Sequence, residues 1–588
     1  MCMLKIQTTW LNYLDEIQQQ VSNVSLKADE IELLKAYLRN TELLIPLIGA
    51  FSAGKSSLLN AFLEREVLPV GLAPETELAT ELRYGEVPHV IALRADGSSE
   101  RLDVEAVKSI KARAHEFTHL QLYLDDERLK ALAPLVLVDM PGFGSTLENH
   151  NKAVAWYLPR GVHFIVAVSV EDGTITQSLL RQIDDLQTLG RDFTVLLSKT
   201  NLRAADAVQA VTESISEQIR LFYGDARPVV QVDNKGGAVL AQVLARLAPE
   251  QIVRRLFEDQ LKAVTQSLLD QIKVAERALF NDRHTNECAL AELASGLRQI
   301  EQRRDRIVAD LRNQRLDRVV ERALVAIERE LENAEDELLS AALSGNQDAF
   351  SRIFSDIVRH AVTRTLKEQM DEVSRTVVSD FSAALDDLGR AMVQFGSAPD
   401  WMESFTARIN QSLQKTGEIL SDLSETLAAR NARELEVRKQ ETNWKPGQPL
   451  PTVGYRNIAT ILAVTTSVIN PLLELAIIFL PEIISFIRAG SQREQLRQKI
   501  RNEVIPASKR ELRGKLSALL VEQMDTLVAR VGAEFAQEIE SQTRAIEAHR
   551  EGAVANADEI DKRIDQLALT REHIQRLAED VLYNGNSQ

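Results

Sequence analysis

Gly49, Gly54, Lys55 and Ser56 stand in the spacing Gly-x-x-x-x-Gly-Lys-Ser, after the apolar run "LLIPLIG" and before the helix-compatible "SLLNAFL". Glycines let backbone N–H groups curl around phosphate oxygens, and a helix start adds the positive end of its dipole. Lys55 then reaches the outer phosphates, Ser56 can ligate Mg²⁺, and Ser57 lies beside it. This chemistry suits a nucleoside triphosphate.

A second element agrees with the first. In "LVLVDMPGFG" an apolar strand ends at Asp139, followed by Gly142. A carboxylate there holds the metal, and a glycine N–H senses the terminal phosphate. Between the two elements, "GLAPETELATELRYG" offers Thr76 and Thr80 to close over Mg²⁺ and the terminal phosphate, with Thr76 preferred because it follows Pro74 in a turn-like context. The base-recognition stretch departs from the guanine pattern. "VLLSKTNL" gives Ser198-Lys199-Thr200-Asn201, with Asn201 where an aspartate accepts from two N–H groups of guanine. Lys199 can still lie along the base. Asn201 predicts weakened or relaxed base choice unless a nearby acid such as Asp233 compensates, and it keeps an ATPase with coiled-coil arms as an alternative.

A rival motif is "HEFTH", with His115 and His119 at the spacing of a helical zinc site. The alternation in "THLQLYL" reads as a strand, which would not place both histidines on one helical face.

The elements that must position these residues change in texture along the chain. Between residues 41 and 250, short apolar runs alternate with polar helical stretches, which predicts a mostly parallel sheet covered by helices on both faces. Pro46 sits awkwardly inside the strand expected at the sheet centre. It predicts either a strand that starts there or a nitrogen turned away from a neighbour. From Trp10 to Leu38 a stripe of large apolar residues predicts an amphipathic helix or helix pair. No proline occurs between Pro249 and Pro399, and Val320, Leu324, Ile327, Leu331, Ala334 and Leu338 step by four and three. Leu520, Met524, Leu527, Val531 and Phe535 form a similar stripe in the Pro-free C-terminal stretch. Long helices in a bundle follow, with Ser344-Gly345-Asn346 as a turn.

The most apolar segment, residues 458–487, is split by Asn470-Pro471 into runs of 12 and 16 residues, short of the roughly 20 that span a bilayer. Glu474 and Glu482 would each cost about 2.5–3.5 kcal/mol at the bilayer centre. A hairpin dipping into one leaflet fits better, through Leu472, Leu473, Ile477, Ile478, Phe479, Ile483, Ile484 and Phe486. Arg488, Arg493, Arg497, Lys499 and Arg501 flank it, drawing it to anionic lipid. Burial of both runs within the bundle is the competing expectation.

Over 588 residues, 69 basic and 86 acidic side chains give a net charge of −17, which disfavours nucleic acid as a partner. Two cysteines are too few for a disulfide framework or a thiolate metal site. The first 20 residues lack the pattern of a secretory signal, so the expected compartment is the cytoplasm.

Taken with their order along the chain, "GAFSAGKSSLLNAFL", Pro74-Glu75-Thr76, "LRYG" and "DMPGFGS" resemble the bacterial dynamin-like proteins. The resemblance implies an α/β P-loop GTPase domain on a long all-α stalk with an apolar tip. It implies GTP as substrate, Mg²⁺ as cofactor, and Lys55, Ser56, Thr76 and Ser52 as the catalytic set, with Ser52 at the β,γ-phosphate bridge. Implied partners are a lipid membrane, a second copy meeting across the nucleotide face, and optionally a related dynamin-like chain. Phe51 stands where eukaryotic dynamins carry a catalytic glutamine, which argues for slow hydrolysis in isolation. The expected division is a helical segment over 1–40, the GTPase domain over 41–250, stalk over 251–442, linker and tip over 443–490, and returning stalk over 491–588. Strain would pass to the stalk through residues 9–40 and the helix after Pro249. The alternative is a nucleotide-gated scaffold with little turnover.

Overall fold

The computed structural model describes residues 3–583 except 27, 51–52, 71–77, 95–96, 106–109, 142–152, 154–155, 159, 224–226, 234, 281–282, 344–346, 395–497, 499–501, 503–504 and 550–556. Ser52, Thr76, Gly142 and all the tip residues from Leu472 to Phe486 lie outside this set.

The apolar runs of residues 41–250 become strands because β-branched and leucine side chains pack well on a pleated surface buried on both faces. They are β1 (Leu43–Gly49), β3 (His89–Leu93), β5 (His119–Leu124), β6 (Leu135–Asp139), β7 (His163–Ser169), β8 (Asp192–Ser198) and β9 (Val229–Gln231). Two further strands escape the apolar pattern, β2 (Ala79–Tyr84) and β4 (Ser99–Leu102). β2 carries Glu81 and Arg83 on a buried face, paired to each other, so charge disguises its alternation. β4 is short, polar and half-exposed.

The sheet runs β4-β3-β5-β2-β6-β1-β7-β8-β9. From β6 to β9 every neighbour is parallel, as is the pair β5 and β2. These two parallel parts meet at an antiparallel seam of three residue pairs, Thr80 with Asp139, Glu81 with Val138 and Leu82 with Leu137.

β1 does not start at Pro46. It pairs with β6 from Leu43 through Leu47. On its other side the ladder to β7 holds an isolated bridge at Leu44 and Gly161, then resumes at Leu47 and Ile165. Pro46 falls in that gap, where a missing N–H breaks no pairing. Gly161 makes room, since a Cβ there would stand 3.0 Å from Pro46 Cδ and 2.5 Å from Phe164 Cζ.

Helices α3 (Lys55–Leu63), α4 (Glu127–Leu132), α5 (Gln177–Thr188), α6 (Ala205–Tyr223) and α7 (Gly237–Ala245) accompany the sheet. Ahead of it, α1 (Lys5–Asn23) and α2 (Asp29–Asn40) form a helix pair that buries Trp10, Leu14, Ile17 and Val21, then Ile31, Leu34 and Leu38.

After the sheet come α8 (Pro249–Phe280), α9 (Arg283–Asp310), a π-helical turn at Leu311–Arg315, α10 (Leu316–Asn333), α11 (Glu335–Leu343), α12 (Gln347–Gln394), α13 (Ile505–His549) and α14 (Ala557–Ala578). The expected stripe at Val320, Leu324, Ile327 and Leu331 is buried on α10, but the helix ends there, with Ala334 as its C-cap and Leu338 on α11. On α13 the described buried residues include Leu516, Leu520, Met524, Val528 and Phe535. The side chains of Leu527 and Val531 lie outside the described set. Phe535 stacks on Phe381 of α12 at 5.6 Å between centroids. Gly532 lets α13 approach, since a Cβ there would lie 3.2 Å from Phe381 Cζ.

The N-terminal pair joins the stalk through Tyr13 and Thr265 of α8, whose hydroxyls are 2.7 Å apart, and through Glu16 and His573 of α14 at 2.9 Å. A direct contact invisible in the sequence adds to this route. Arg181 on α5 donates to Glu337 of α11 at 3.0 Å, Ser178 to Asp356 of α12, and Asp185 receives Arg359 and His360 of α12. The nucleotide domain and the stalk thus meet directly as well as through the N-terminal helix pair.

Candidate functional site

β1 delivers the chain to the site through Gly49, whose φ is +150°. A Cβ there would fall 2.3 Å from the Ala167 carbonyl oxygen, so only glycine lets β1 run this close to β7. Gly54 takes φ +77° as the N-cap of α3, another left-handed position. Lys55 then opens the helix and turns back. Its Nζ donates to the carbonyl oxygens of Gly49 at 3.1 Å and Ala50 at 3.0 Å.

Ser56 Oγ donates to Asp139 Oδ2 at 2.6 Å, across 83 residues of sequence. Asp139 is fully buried, and its Oδ1 has no hydrogen-bond partner among the described residues. A buried carboxylate oxygen without a partner is costly and calls for a cation or water. Two hard oxygens from Ser56 and Asp139, on either side of a helix N-terminus, are donors of the kind Mg²⁺ takes.

The electrostatics agree. Burial pushes the Lys55 ammonium down to about 8, against the pull of Asp139, and burial pushes the Asp139 carboxyl up to about 6, against Ser56 and Lys55. Each group lacks its full complement of opposite charge. A phosphate beside Lys55 and a cation beside Asp139 would supply it.

Ser57 is exposed on α3. Lys199 adopts φ +58°, and its Nζ meets Glu171 Oε2 at 2.9 Å. Asn201 is exposed on the short turn Thr200–Leu202. Asp233 follows Val232, whose carbonyl accepts from Thr200 N at 3.3 Å, and its Oδ1 accepts from Lys235 N at 2.9 Å. Thus the base loop and the loop of Asp233 run side by side. Ser198, standing where guanine sites read Asn or Thr, donates from Oγ to the Ala53 carbonyl at 2.7 Å. This strap from base loop to phosphate loop went unread in the sequence.

Thr80 is not placed as a loop threonine that closes over a phosphate. It lies in β2, paired with Asp139, 2% exposed, its hydroxyl donating to Leu78 O at 3.3 Å. The two histidines of "HEFTH" do not share a helix. The 3₁₀ turn Ile110–Glu116 holds His115, whereas His119 opens β5 and stands buried, its Nε2 3.6 Å from Glu81 Oε1.

A glycine-rich loop between β1 and α3, with a buried carboxylate ending the neighbouring parallel strand, defines a P-loop nucleotide-binding domain of the GTPase class. Residues 45–199 match the model of the Dynamin family. The likeness to that family rests on this domain. Dynamin-like protein 2 of Campylobacter jejuni is 29% identical over 168 residues, 28% of this chain and 27% of that one. The Arabidopsis thaliana protein named "Probable transmembrane GTPase FZO-like, chloroplastic" is 25% identical over 207 residues, 35% of this chain and 19% of that one. Each alignment thus spans well under a third of the relative's length. Among solved structures, LeoA, a bacterial dynamin GTPase from ETEC, is similar at 13% identity over 97% of both chains, with a TM-score of 0.30. A chain of an oligomerised bacterial dynamin pair gives 14% identity over 98% of this chain and 82% of that one, with a TM-score of 0.38.

Proposed function

We propose that this chain binds GTP with Mg²⁺ at the β1–α3 loop, hydrolyses it slowly alone, and turns over faster when two nucleotide domains meet. The observation that carries this reading is the Ser56–Asp139 pair at 2.6 Å with its unpartnered carboxylate oxygen, beside a buried Lys55 held by two carbonyls. When nucleotide enters, Lys55 exchanges those neutral acceptors for phosphate oxygens, and its ammonium regains full basicity. Ser56 and Asp139 would hold Mg²⁺, which supplies charge neutralisation at the bridging phosphate oxygens. Gly49 and Gly54 keep side chains out of the phosphate path. Ser52 and Thr76 keep the roles the family resemblance implies, and Gly142 the phosphate-sensing role read from its motif.

Nucleotide-driven closure would load the stalk through Asp185 and Arg359 and through the N-terminal helix pair. The apolar tip would meet anionic lipid peripherally, coupling the cycle to membrane remodelling or vesicle release. Among the described residues no helix is long and apolar enough to cross a membrane.

The test is phosphate release from GTP and from ATP across protein concentration, with and without anionic vesicles, for wild type and Lys55→Ala. Specific activity that rises with concentration and vanishes in Lys55→Ala supports the proposal. Nucleotide binding without turnover under every condition favours the scaffold reading, and preference for ATP favours the coiled-coil ATPase that the exposed Asn201 keeps in play.

A further inference from the structure

On the sheet face opposite α3 lies a buried charged cluster that the nucleotide site does not use. Glu81, 3% exposed, sits in the middle of the three-pair seam joining β2 to β6. Its Oε2 accepts from Arg83 Nε at 2.8 Å, and its Oε1 accepts from Tyr157 Oη at 2.9 Å. Arg83 continues to Glu42, just ahead of β1, with Nη2 to Oε2 at 2.6 Å. Tyr157 packs with Leu44, Val136, Val138 and Met140, the residues of β1 and β6 and the one after Asp139. Both bonds therefore cross the seam. One runs from β2 to the layer over β6, the other from β2 to the entry of β1.

Stability gives a weak reason for such a cluster. Burying charges costs more than an apolar core of the same volume, and such pairs add little net stability. Burial opposes the Glu81 charge, yet Arg83, with His119 and Tyr157, outweighs it and holds the carboxyl below its ordinary value. His119 beside it is neutral at physiological pH, pushed down to about 4 by burial. What the cluster does supply is a fixed register. Thr80 and Glu81 pair with Asp139 and Val138, so whatever fixes β2 against β1 and β6 also fixes where the Asp139 carboxylate stands relative to Ser56.

Resting on the reading of this site as an Mg²⁺–GTP site, we infer that Glu81, through Tyr157 and Arg83, is a positioning residue that sets the Asp139 carboxylate for the metal. Partners of this kind behind a ligand cost about 10–100-fold in metal affinity or activity when removed. On its β1 side the Asp139 strand is held by a parallel ladder ending at Leu47 with Asp139, whereas toward β2 only three antiparallel pairs form, so the side-chain bonds there add most to its placement.

The experiment uses the full chain and a fluorescent non-hydrolysable GTP analogue, titrated in EDTA and then across Mg²⁺ concentration. Tyr157→Phe removes one hydroxyl and keeps the ring. Its expected result is a Mg²⁺ midpoint raised about ten-fold, with affinity in EDTA equal to wild type. Glu81→Gln, which keeps an oxygen for Tyr157, shifts the midpoint in the same direction by less. A folded Tyr157→Phe with the wild-type Mg²⁺ midpoint overturns the inference, whatever its thermal stability, and leaves a brace for the fold alone. Should Tyr157→Phe not fold, Glu81→Gln read the same way decides. Wild-type protein that binds no nucleotide would instead overturn the reading of the site itself.

Discussion

Arg359 on α12 and Asp185 on α5 meet across the boundary of nucleotide domain and stalk, Nε to Oδ2 at 3.2 Å, each 3% exposed as a side chain. Around them stand His360 Nδ1, 2.9 Å from Asp185 Oδ1, and Asp356 Oδ1, 2.9 Å from Arg359 Nη2. Ile48 and Met140, which flank Gly49 and Asp139 in sequence, line the same small cavity as Asp185 and Arg359. The stalk thus reaches the strands that end in Gly49 and Asp139.

Arg359→Met leaves the Asp185 carboxylate buried without its guanidinium, and removing one partner of a buried pair costs about 3–5 kcal/mol. Adding Asp185→Asn to the same variant recovers part of that loss. Urea unfolding of the two variants checks both statements.

Asp139 supplies a pH prediction. Its folded value, about 6, lies above the ordinary 3.8. Its contribution to stability is therefore whole below 3.8 and is lost as pH rises through about 6. Lys55 is the reverse case, depressed to about 8, so its contribution is whole above 10.5 and lost as pH falls through about 8. Between the two values both groups are charged in the nucleotide-free protein. Asp139→Asn is expected to stabilise the nucleotide-free form by about 2–3 kcal/mol at pH 7.5 and by about half as much at pH 5. Chemical denaturation at the two pH values measures the difference.

Gly49→Ala should destabilise by at least about 3 kcal/mol, from a left-handed φ and a methyl driven onto the Ala167 carbonyl. A urea midpoint no lower than wild type would show that β1 can move away from β7 at small cost.

Asn201→Asp restores two acceptor oxygens at the position where guanine is read. Charge-assisted hydrogen bonds are worth about 1.5–3 kcal/mol, so preference for GTP over ATP should rise roughly ten-fold or more. Competition binding of the two nucleotides reports it. If wild type already matches the variant, the carboxylate of Asp233, beside the base loop, becomes the place to look.

For the membrane, Ile478→Glu combined with Phe479→Glu should abolish flotation with anionic liposomes, because each carboxylate costs about 2.5–3.5 kcal/mol in a hydrocarbon environment. Flotation equal to wild type would remove the lipid role from this segment.

The loop proposed to hold phosphate was legible in the sequence because it depends on local spacing. Gly49, Gly54, Lys55 and Ser56 act within eight residues of one another, and the β1–α3 geometry follows from an apolar run and a helix start. The mostly parallel sheet was legible too, since strands buried on both faces read as continuous apolar runs. β2 was not, because Glu81 and Arg83 look like surface residues until Tyr157 and Glu42 are seen to pair with them. The "HEFTH" spacing misleads by itself, but the alternation of "THLQLYL" already reads as the strand that His119 opens.

Sequence alone thus determined the glycine-lysine-serine turn between β1 and α3, and that long helices follow, because hydrogen-bonding turns and helical stripes are short-range patterns along the chain. Tertiary structure alone decided which strand flanks Asp139, which charges lie buried behind it, and that Arg359 of the stalk meets Asp185. Those are contacts between residues about 40 to 175 positions apart, and neither pattern nor spacing encodes a partner brought near only by packing.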